Sequence, residues 1–329
     1  MRNILCVTLI ALLGGCTSTS VTEKYQDKRN DIINVKDKVI EFETGNVLIG
    51  SVSRLYMSNK CLLIADHKSV DKQIHIFNKN DFSYLTSIGN FGEGPEEITV
   101  MGCLAIDEAH HQLYVSDHAK QKIFSYDMDS VMVDSLYKPQ VKTAMNETLF
   151  PSEYQYINDT LSIAVLIKPT STSTFNQFLG RWNMNTGEMI PMKYTHPDIQ
   201  KKRITFAASE KAGIYVECYT RHDLMTICSL DGELLYNIYG PDWDGGNGNK
   251  LQSFGTVMIG NDKIFVSYCG EDYARDSFPT KILVFDLEGN YLKTLETGYK
   301  ISDCCYDSFN NRIISVSYTH LTLPTILRV

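Results

Sequence analysis

The sequence predicts an all-β fold, a six-bladed β-propeller whose sixth blade is incomplete at the C-terminus. Three observations carry this. Short β-rich runs recur along the chain: CLLIAD (61–66), QLYVSD (112–117), TLSIAVLI (160–167), GIYVECY (213–219), KIFVSYC (263–269) and RIISVSY (312–318). Aligning one residue from each, Ile64, Val115, Leu166, Val216, Val266 and Val316, gives steps of 51, 51, 50, 50 and 50 residues, and a fixed period of this length with several strands per unit marks a propeller. No window sustains apolar residues at spacings of three and four over several turns, so long helices are not expected.

The first element is an address. MRNILCVTLIALLGGC has one early positive charge, Arg2, then an apolar run from Ile4 to Leu13. That run is too short to span a bilayer and has the form of a secretory signal. Leu13-Gly14-Gly15-Cys16 resembles the bacterial lipobox, which implies cleavage before Cys16 and lipid on its sulfur; the alternative is an ordinary signal peptide with a cysteine near its end. Residues 1–15 are therefore expected to leave as a lipoprotein signal peptide. Residues 16–33, including TSTSVTEKYQDKRND, are expected to form a flexible tether, because they have too little apolar surface to pack.

The propeller follows over 34–329, with blades at about 52–98, 102–141, 151–199, 204–243, 253–298 and from 301 to the end. Within the units IFNKND, SYDMDS, RWNMNTG, SLDGE and VFDLEG place Asn78, Asp127, Asn183, Asp231 and Asp286 where one strand ends and another begins. Asn and Asp turn a chain by bonding their own downstream backbone, so these are read as hairpin formers. The tail SYTHLTLPTILRV contains no such turn and resembles translated sequencing adapter, so an artefactual end is expected after about Ser315 to Ser317. NVKDKVIEFET (34–44) is expected to lend one strand to the unfinished sixth blade, leaving an unpaired edge or a gap.

Composition narrows the partners. Thirty-nine acidic against thirty-one basic residues, with no basic run, leave no electrostatic footprint for a nucleic-acid backbone. Of nine cysteines, Cys6 would leave with the signal and Cys16 would carry lipid. The remaining seven are odd in number, form no CxxC, and mostly sit in or beside apolar runs, which favours buried thiols over a disulfide framework.

The hydrophobic-Ala/Ser-Asp element followed by an Ile-rich strand, in LLIADHKSVDKQIHIFN and LYVSDHAKQKIFSYD, is similar to NHL repeats. With the lipobox, the GEGPEE linker and the overall length, the chain resembles the TolB-like six-bladed propeller lipoproteins of Bacteroides-type bacteria. The resemblance implies an envelope compartment and a membrane held through N-terminal lipid, and it implies no activity. Thr and Ser follow Cys16 rather than an acidic cluster, which points to an outer-membrane lipoprotein facing the periplasm, with the cell surface as the alternative. Nothing in the sequence fixes an oligomeric state.

In an up-and-down blade the loops joining strands two and three, and the crossovers to the next blade, share one face, here called the first face. IGNFGEGPEEI (88–98) is such a crossover. A phosphate loop would open a helix and be followed by Lys-Ser or Lys-Thr, whereas this stretch offers Pro95, Glu93, Glu96 and Glu97. Its glycines are expected to serve a tight crossover, with Gly92 or Gly94 at positive φ. The long first-face segments 168–177, 192–203, 240–250 and 270–280 make this the presumptive binding face. Its ligand-binding candidates are Arg203, Arg221, His222, Trp243, Tyr273 and Arg275. Asp66-His67 and Asp117-His118 recur at one repeat position and are candidate ligands for a divalent metal at the channel, although no other cofactor is expected. The function expected is a non-catalytic binding module for a protein, peptide or glycan. The alternatives are a metal-dependent hydrolase or lyase and a scaffold component of an envelope complex.

Overall fold

The computed structural model describes residues 22–134, 136–247, 251–275, 277–317 and 324–329. The expected signal peptide and Cys16 lie outside the described residues. Six sheets surround a central channel. From the channel outward, blade 1 is Ser53–Met57, Cys61–Asp66, Lys72–Asn78 and Tyr84–Asn90. Blade 2 is Met101–Asp107, Gln112–Asp117, Lys122–Asp127 and Gln140–Ala144; blade 3 is Phe150–Asn158, Leu161–Pro169, Phe175–Trp182 and Met189–Pro191. Blade 4 has Ile204–Ser209, Ile214–Tyr219, Leu224–Ser229 and Leu234–Tyr239, and blade 5 has Leu251–Gly260, Lys263–Asp272, Lys281–Asp286 and Tyr291–Glu296.

The period has a packing cause. Ile64, Val115, Leu166, Val216, Val266 and Val316 lie in the second strands of successive blades, and each is 0% exposed. Each is sandwiched between neighbouring sheets, so a one-residue slip in register would turn it out of the core. Their partners on the innermost strands are Leu55, Leu104, Pro151, Ala207, Val257 and Asp303. Five are apolar and one is a carboxylate. Three of the five expected hairpin formers act as their chemistry dictates: Asn78 accepts from the Asn80 amide, Asn183 from Asn185 and Thr186, and Asp286 from Glu288 and Asn290; Asp127 instead caps the helix Met128–Val133 by accepting the Ser130 amide, and the Asp231 carboxylate accepts from Arg181.

Two expectations are corrected by the ring's closure. Residues 22–34 are not a loose tether. Glu23–Tyr25 adds a parallel fifth strand outside Leu234–Tyr239 of blade 4, and Ile32–Asn34 does the same outside Tyr291–Glu296 of blade 5. Between these strands Arg29 is driven into the seam of the two blades, where its Nη1 lies 2.7 Å from Asp223 Oδ1 with both side chains buried. The guanidinium is also near the rings of Phe254, Tyr268 and Phe285. This strap holds through backbone bonds and one buried ion pair, which its polar composition does not preclude.

The sixth blade is likewise four-stranded rather than incomplete: Ile301–Asp307, Arg312–Ser317, Pro324–Arg328 and Ile40–Glu41. The tail that resembles adapter supplies the third strand, pairing Ile314 with Ile326, and the N-terminal segment supplies the outermost, pairing Ile40 with Ile326. Ile326 and Leu327 enter the core, which is why the tail pairs here. The described cysteines are free, buried thiols.

Candidate functional site

Radial sheets turn the free edges of six innermost strands toward the channel, and an unpaired amide there needs a partner. Side chains from neighbouring blades supply several. Asp303 of blade 6 accepts from Leu55 N of blade 1 at 2.8 Å and from Thr256 Oγ1 of blade 5 at 2.6 Å. The side-chain amide of Gln155 of blade 3 accepts from Ala208 N of blade 4 at 2.7 Å and donates to Ala208 O at 3.0 Å. Thr205 Oγ1 donates to Gly255 O at 2.6 Å. These bonds lace the ring together around a cavity of about 640 Å³. Burial pushes the Asp303 carboxyl above the usual carboxylate range.

Inside the channel Arg54 of blade 1 reaches Glu153 of blade 3, skipping blade 2, with Nη1 2.6 Å from Oε1. The side chains are 45% and 35% exposed, so solvent screens the pair and it adds little to stability. Two imidazoles, His67 and His118, follow the second strands of blades 1 and 2 at the first-face end. The His67 backbone N–H donates to Val52 O, and His118 N–H to Val100 O, a bond repeated in blade 4 by Thr220 and Arg203. His67 Nδ1 is 3.2 Å from Met101 O of the next blade, whereas His118 packs on Gly102 of its own blade and near Phe150 of the next. The Nε2 atoms of both are buried and without a hydrogen-bond partner. Burial lowers both imidazoles below the usual histidine value, and the Arg54 charge acts in the same direction.

The carboxylates expected beside them as metal ligands are otherwise engaged. Asp66 accepts the amides of Gly50 and Lys68, and Asp117 accepts those of Thr99, Val100, Ala119 and Lys120. Both fasten crossover to blade, and the four residues do not gather as a metal set. Among the described residues, the one group of three ligand-type side chains within 4.8 Å is Asp107, His110 and Asp159, on the opposite face. Asp107 there accepts from the His110 backbone and ring, the same turn-forming use that Asp307 makes of Asn310 four repeats later.

The six ligand candidates are dispersed. His222 and Trp243 do meet, ring centroids 6.0 Å apart, in a cluster with His196, Tyr219 and Tyr239 at the first-face end of blade 4. His222 is buried, Trp243 is part-exposed, and Asp244 Oδ1 lies 3.7 Å from His222 Nδ1. Arg203 is exposed and stacks over Phe175 of blade 3, 4.9 Å from the ring centre. Arg221 is half-buried beside His222, and Arg275 is exposed in the turn Tyr273–Arg275 of blade 5. The side chain of Tyr273 lies outside the described residues.

The glycine-rich crossover is a cradle of the reverse polarity to a phosphate loop. Its carbonyls point inward: Lys120 Nζ donates to Gly94 O at 2.6 Å, Glu97 O at 2.5 Å and Gly92 O at 3.5 Å. Glu97 folds back to accept the Gly94 amide at 2.8 Å. Positive φ falls at Gly89 (74°) and Gly92 (159°), but not at Gly94. At Gly92 a Cβ would meet Glu97 Oε2 at 2.0 Å.

Sequence reasoning missed Arg54, Glu153 and Asp303. The available signal was a charge inside an innermost strand. It also missed the helix Met128–Val133, capped by Asp127, on the opposite face. With Leu85, Ile106 and Leu113 this helix borders a groove of about 410 Å³ between blades 1 and 2.

Comparison with known proteins bears on the fold. A search of curated proteins finds no match. Among solved structures, a Bacteroides fragilis protein described as a candidate exported protein aligns with TM-score 0.60 at 12% identity, covering 94% of this chain and 99% of that one. A member of the duf4221 family from Bacteroides vulgatus aligns with TM-score 0.57 at 8% identity, covering 88% and 95%. A luciferin-regenerating enzyme aligns equally, TM-score 0.57 at 8% identity over 88% and 94%, so the likeness spans different roles and fixes architecture alone. Residues 17–177 match the family described as DUF5128: 6-bladed beta-propeller. The chain is a six-bladed β-propeller, and its first half carries that family's sequence pattern.

Proposed function

We propose that this propeller is a non-catalytic binding module of the cell envelope, exported, held to the outer membrane by lipid on Cys16, and engaging a protein, peptide or glycan through its first face. The observation that carries this is the company the first face keeps. Its long connections carry part-exposed Trp243, packed on Tyr239 of blade 4, and the exposed Arg203–Phe175 stack that joins blades 3 and 4. Aromatic and arginine side chains on a rigid scaffold are suited to recognition. The resemblance to TolB-like propeller lipoproteins supports the compartment. A metal-dependent hydrolase or lyase has less support, since Asp66 and Asp117 are spent on backbone amides. Six residues, 17–22, span at most about 22 Å, so an anchored Cys16 would keep the blade 4 edge close to the bilayer.

The test is crosslinking in cells with a photoreactive residue at Phe175 or Trp243 and, as control, at exposed Phe309 on the opposite face. A common adduct from the first-face positions alone, protein or carbohydrate by mass spectrometry, is expected. Equal labelling from Phe309, or none from the first face, would overturn the reading. Separately, Cys16→Ser should move the protein from the membrane pellet to the soluble fraction; retention in the pellet would refute the anchor.

A further inference from the structure

Blade 2 carries an insertion that the ring does not need. Between third and fourth strands the chain turns over 79–83, 183–188, 230–233 and 287–290 in blades 1, 3, 4 and 5, whereas in blade 2 it runs over 128–139 and forms the helix Met128–Val133. The helix is fixed in place. Asp127 caps it by accepting the Ser130 amide, the Met128 amide donates to His111 O at 2.9 Å, Val131 is buried in the core shared by blades 1 and 2, and the Tyr137 hydroxyl accepts the Asp127 amide at 3.2 Å. So held, it packs against Tyr84–Asn90 of blade 1 and walls one side of the groove of about 410 Å³.

The groove is apolar at its base and acidic at its rim. Buried Leu63 and Leu113 lie at the base, and exposed Leu85 and Met132 at the edge. Met128 and Met132 both line it from positions one helical turn apart, and thioether side chains adapt to apolar partners of differing shape. The apolar surface continues past the groove, where Val133 and Leu136 are 87% and 82% exposed. Contiguous exposed apolar surface of this kind marks an interaction site. Exposed Glu108, Asp129 and Lys60 line the opening, His111 Nδ1 lies 2.7 Å from Asp129 Oδ2, and exposed Asp134 stands at the end of the helix. Carboxylates therefore outweigh cations around the opening.

These features decide between occupants. A small molecule of the size that pockets usually take, about 300–1,000 Å³, would fill the groove and leave Val133 and Leu136 in water. An anionic lipid surface would meet Glu108, Asp129 and Asp134 and be repelled. A second copy docked groove to groove about a two-fold axis would set the same carboxylates against each other. A polypeptide with an apolar side chain for the groove and basic residues for the rim satisfies both the surface and the charge. We propose that the groove between blades 1 and 2 on the opposite face, walled by Met128–Val133, is a docking site for a protein segment that presents a bulky apolar side chain flanked by lysine or arginine. This second surface shares no residue with the first face, so one propeller can hold two partners at once.

The experiment labels the methionine methyls of the purified mature chain with carbon-13 and titrates it with synthetic peptides acetyl-Gly-Lys-X-Lys-Gly-amide, where X is Leu, Met, Phe or Trp, and with their Glu-flanked counterparts. Met128→Leu and Met132→Leu assign the two resonances. At least one Lys-flanked peptide is expected to shift both, binding at least about tenfold more tightly than its Glu-flanked counterpart and losing at least about tenfold in Met132→Glu. Glu108→Lys should erase the charge preference. No shift with any peptide, equal binding of the Glu-flanked set, or binding unmoved by Met132→Glu would overturn the proposal. Vesicles of phosphatidylglycerol and phosphatidylethanolamine that shift the same methyls, or a dimer in sedimentation that Met132→Glu dissociates, would give the surface to lipid or to a second copy and overturn it equally. If Met132→Glu melts early, the charge contrast on the wild-type chain decides. First-face crosslinks should be untouched in folded Met132→Glu, and their loss there would contradict a separate surface.

Discussion

Lys120 shows how a single side chain can organise a loop. Its ammonium fills the crossover 91–98 and satisfies carbonyls that would otherwise face a side chain lacking donors. Hydrogen bonds to a charged group contribute about 1.5–3 kcal/mol each, and unpaired carbonyls regain part of this from water. Lys120→Met should therefore cost about 2 kcal/mol in chemical denaturation, whereas Glu93→Gln, on the exposed rim, should cost less than about 0.5 kcal/mol. Histidines set a pH dependence. Burial lowers His67, His75, His118, His196 and His222 below the usual value. The unfolded chain then binds protons first, so the stability they contribute is complete above about pH 6.5 and is lost as pH falls below it. His110, raised by Asp107, opposes this from an exposed site. Melting temperature should drop by at least about 2 °C between pH 7.5 and 5.5, and the drop should shrink in His222→Gln; a flat profile would contradict the assignment.

The strap is the element whose removal should be felt most widely. Asp223 is fully buried, accepts Arg29, and also faces the Asp242 amide and the Tyr268 hydroxyl. Deleting one partner of a buried pair leaves an uncompensated charge, at about 3–5 kcal/mol. Arg29→Ala should destabilise by that order in urea melts and speed amide exchange along Leu234–Tyr239, while Lys28→Ala, next door and exposed, should do neither. This element was illegible in the sequence for a physical reason. EKY and IIN are three-residue parallel strands whose partners lie far along the chain, so no local alternation marks them, and polar residues pair by backbone as well as apolar ones. The blade strands were legible because the burial of Ile64 and its five counterparts recurs with the repeat. Asp303 broke that column of partners, and only pairing register reveals the break.

At the scale of the molecule, the first half of the site was readable and the second was not. The period places His67 and His118 at one level of the ring, but Arg54 and Glu153 meet only because a channel brings blades 1 and 3 face to face. The ring also depends on its closing blade. Without residues 22–41, Pro324–Arg328 would lose its partner Ile40–Glu41 and become a free edge, a template for pairing with other chains. A chain beginning at residue 42 should melt earlier and scatter light at lower concentration than one beginning at residue 17; indistinguishable melts would show that the strap is ornamental.

The same strap orders events in time. Asn237 and Glu23 are bonded across 214 residues, and Asp223 and Arg29 across 194, so the strap must wait for the fourth, fifth and sixth blades, all made after it, before it has anything to hold. Local hairpins close quickly, whereas contacts of this sequence separation carry a loop-closure cost and form slowly. The strap is thus among the last parts to fold although it is made before every blade, and ring closure becomes the slow, concluding step of maturation, a point until which the open edges of blades 4 to 6 are available to a chaperone.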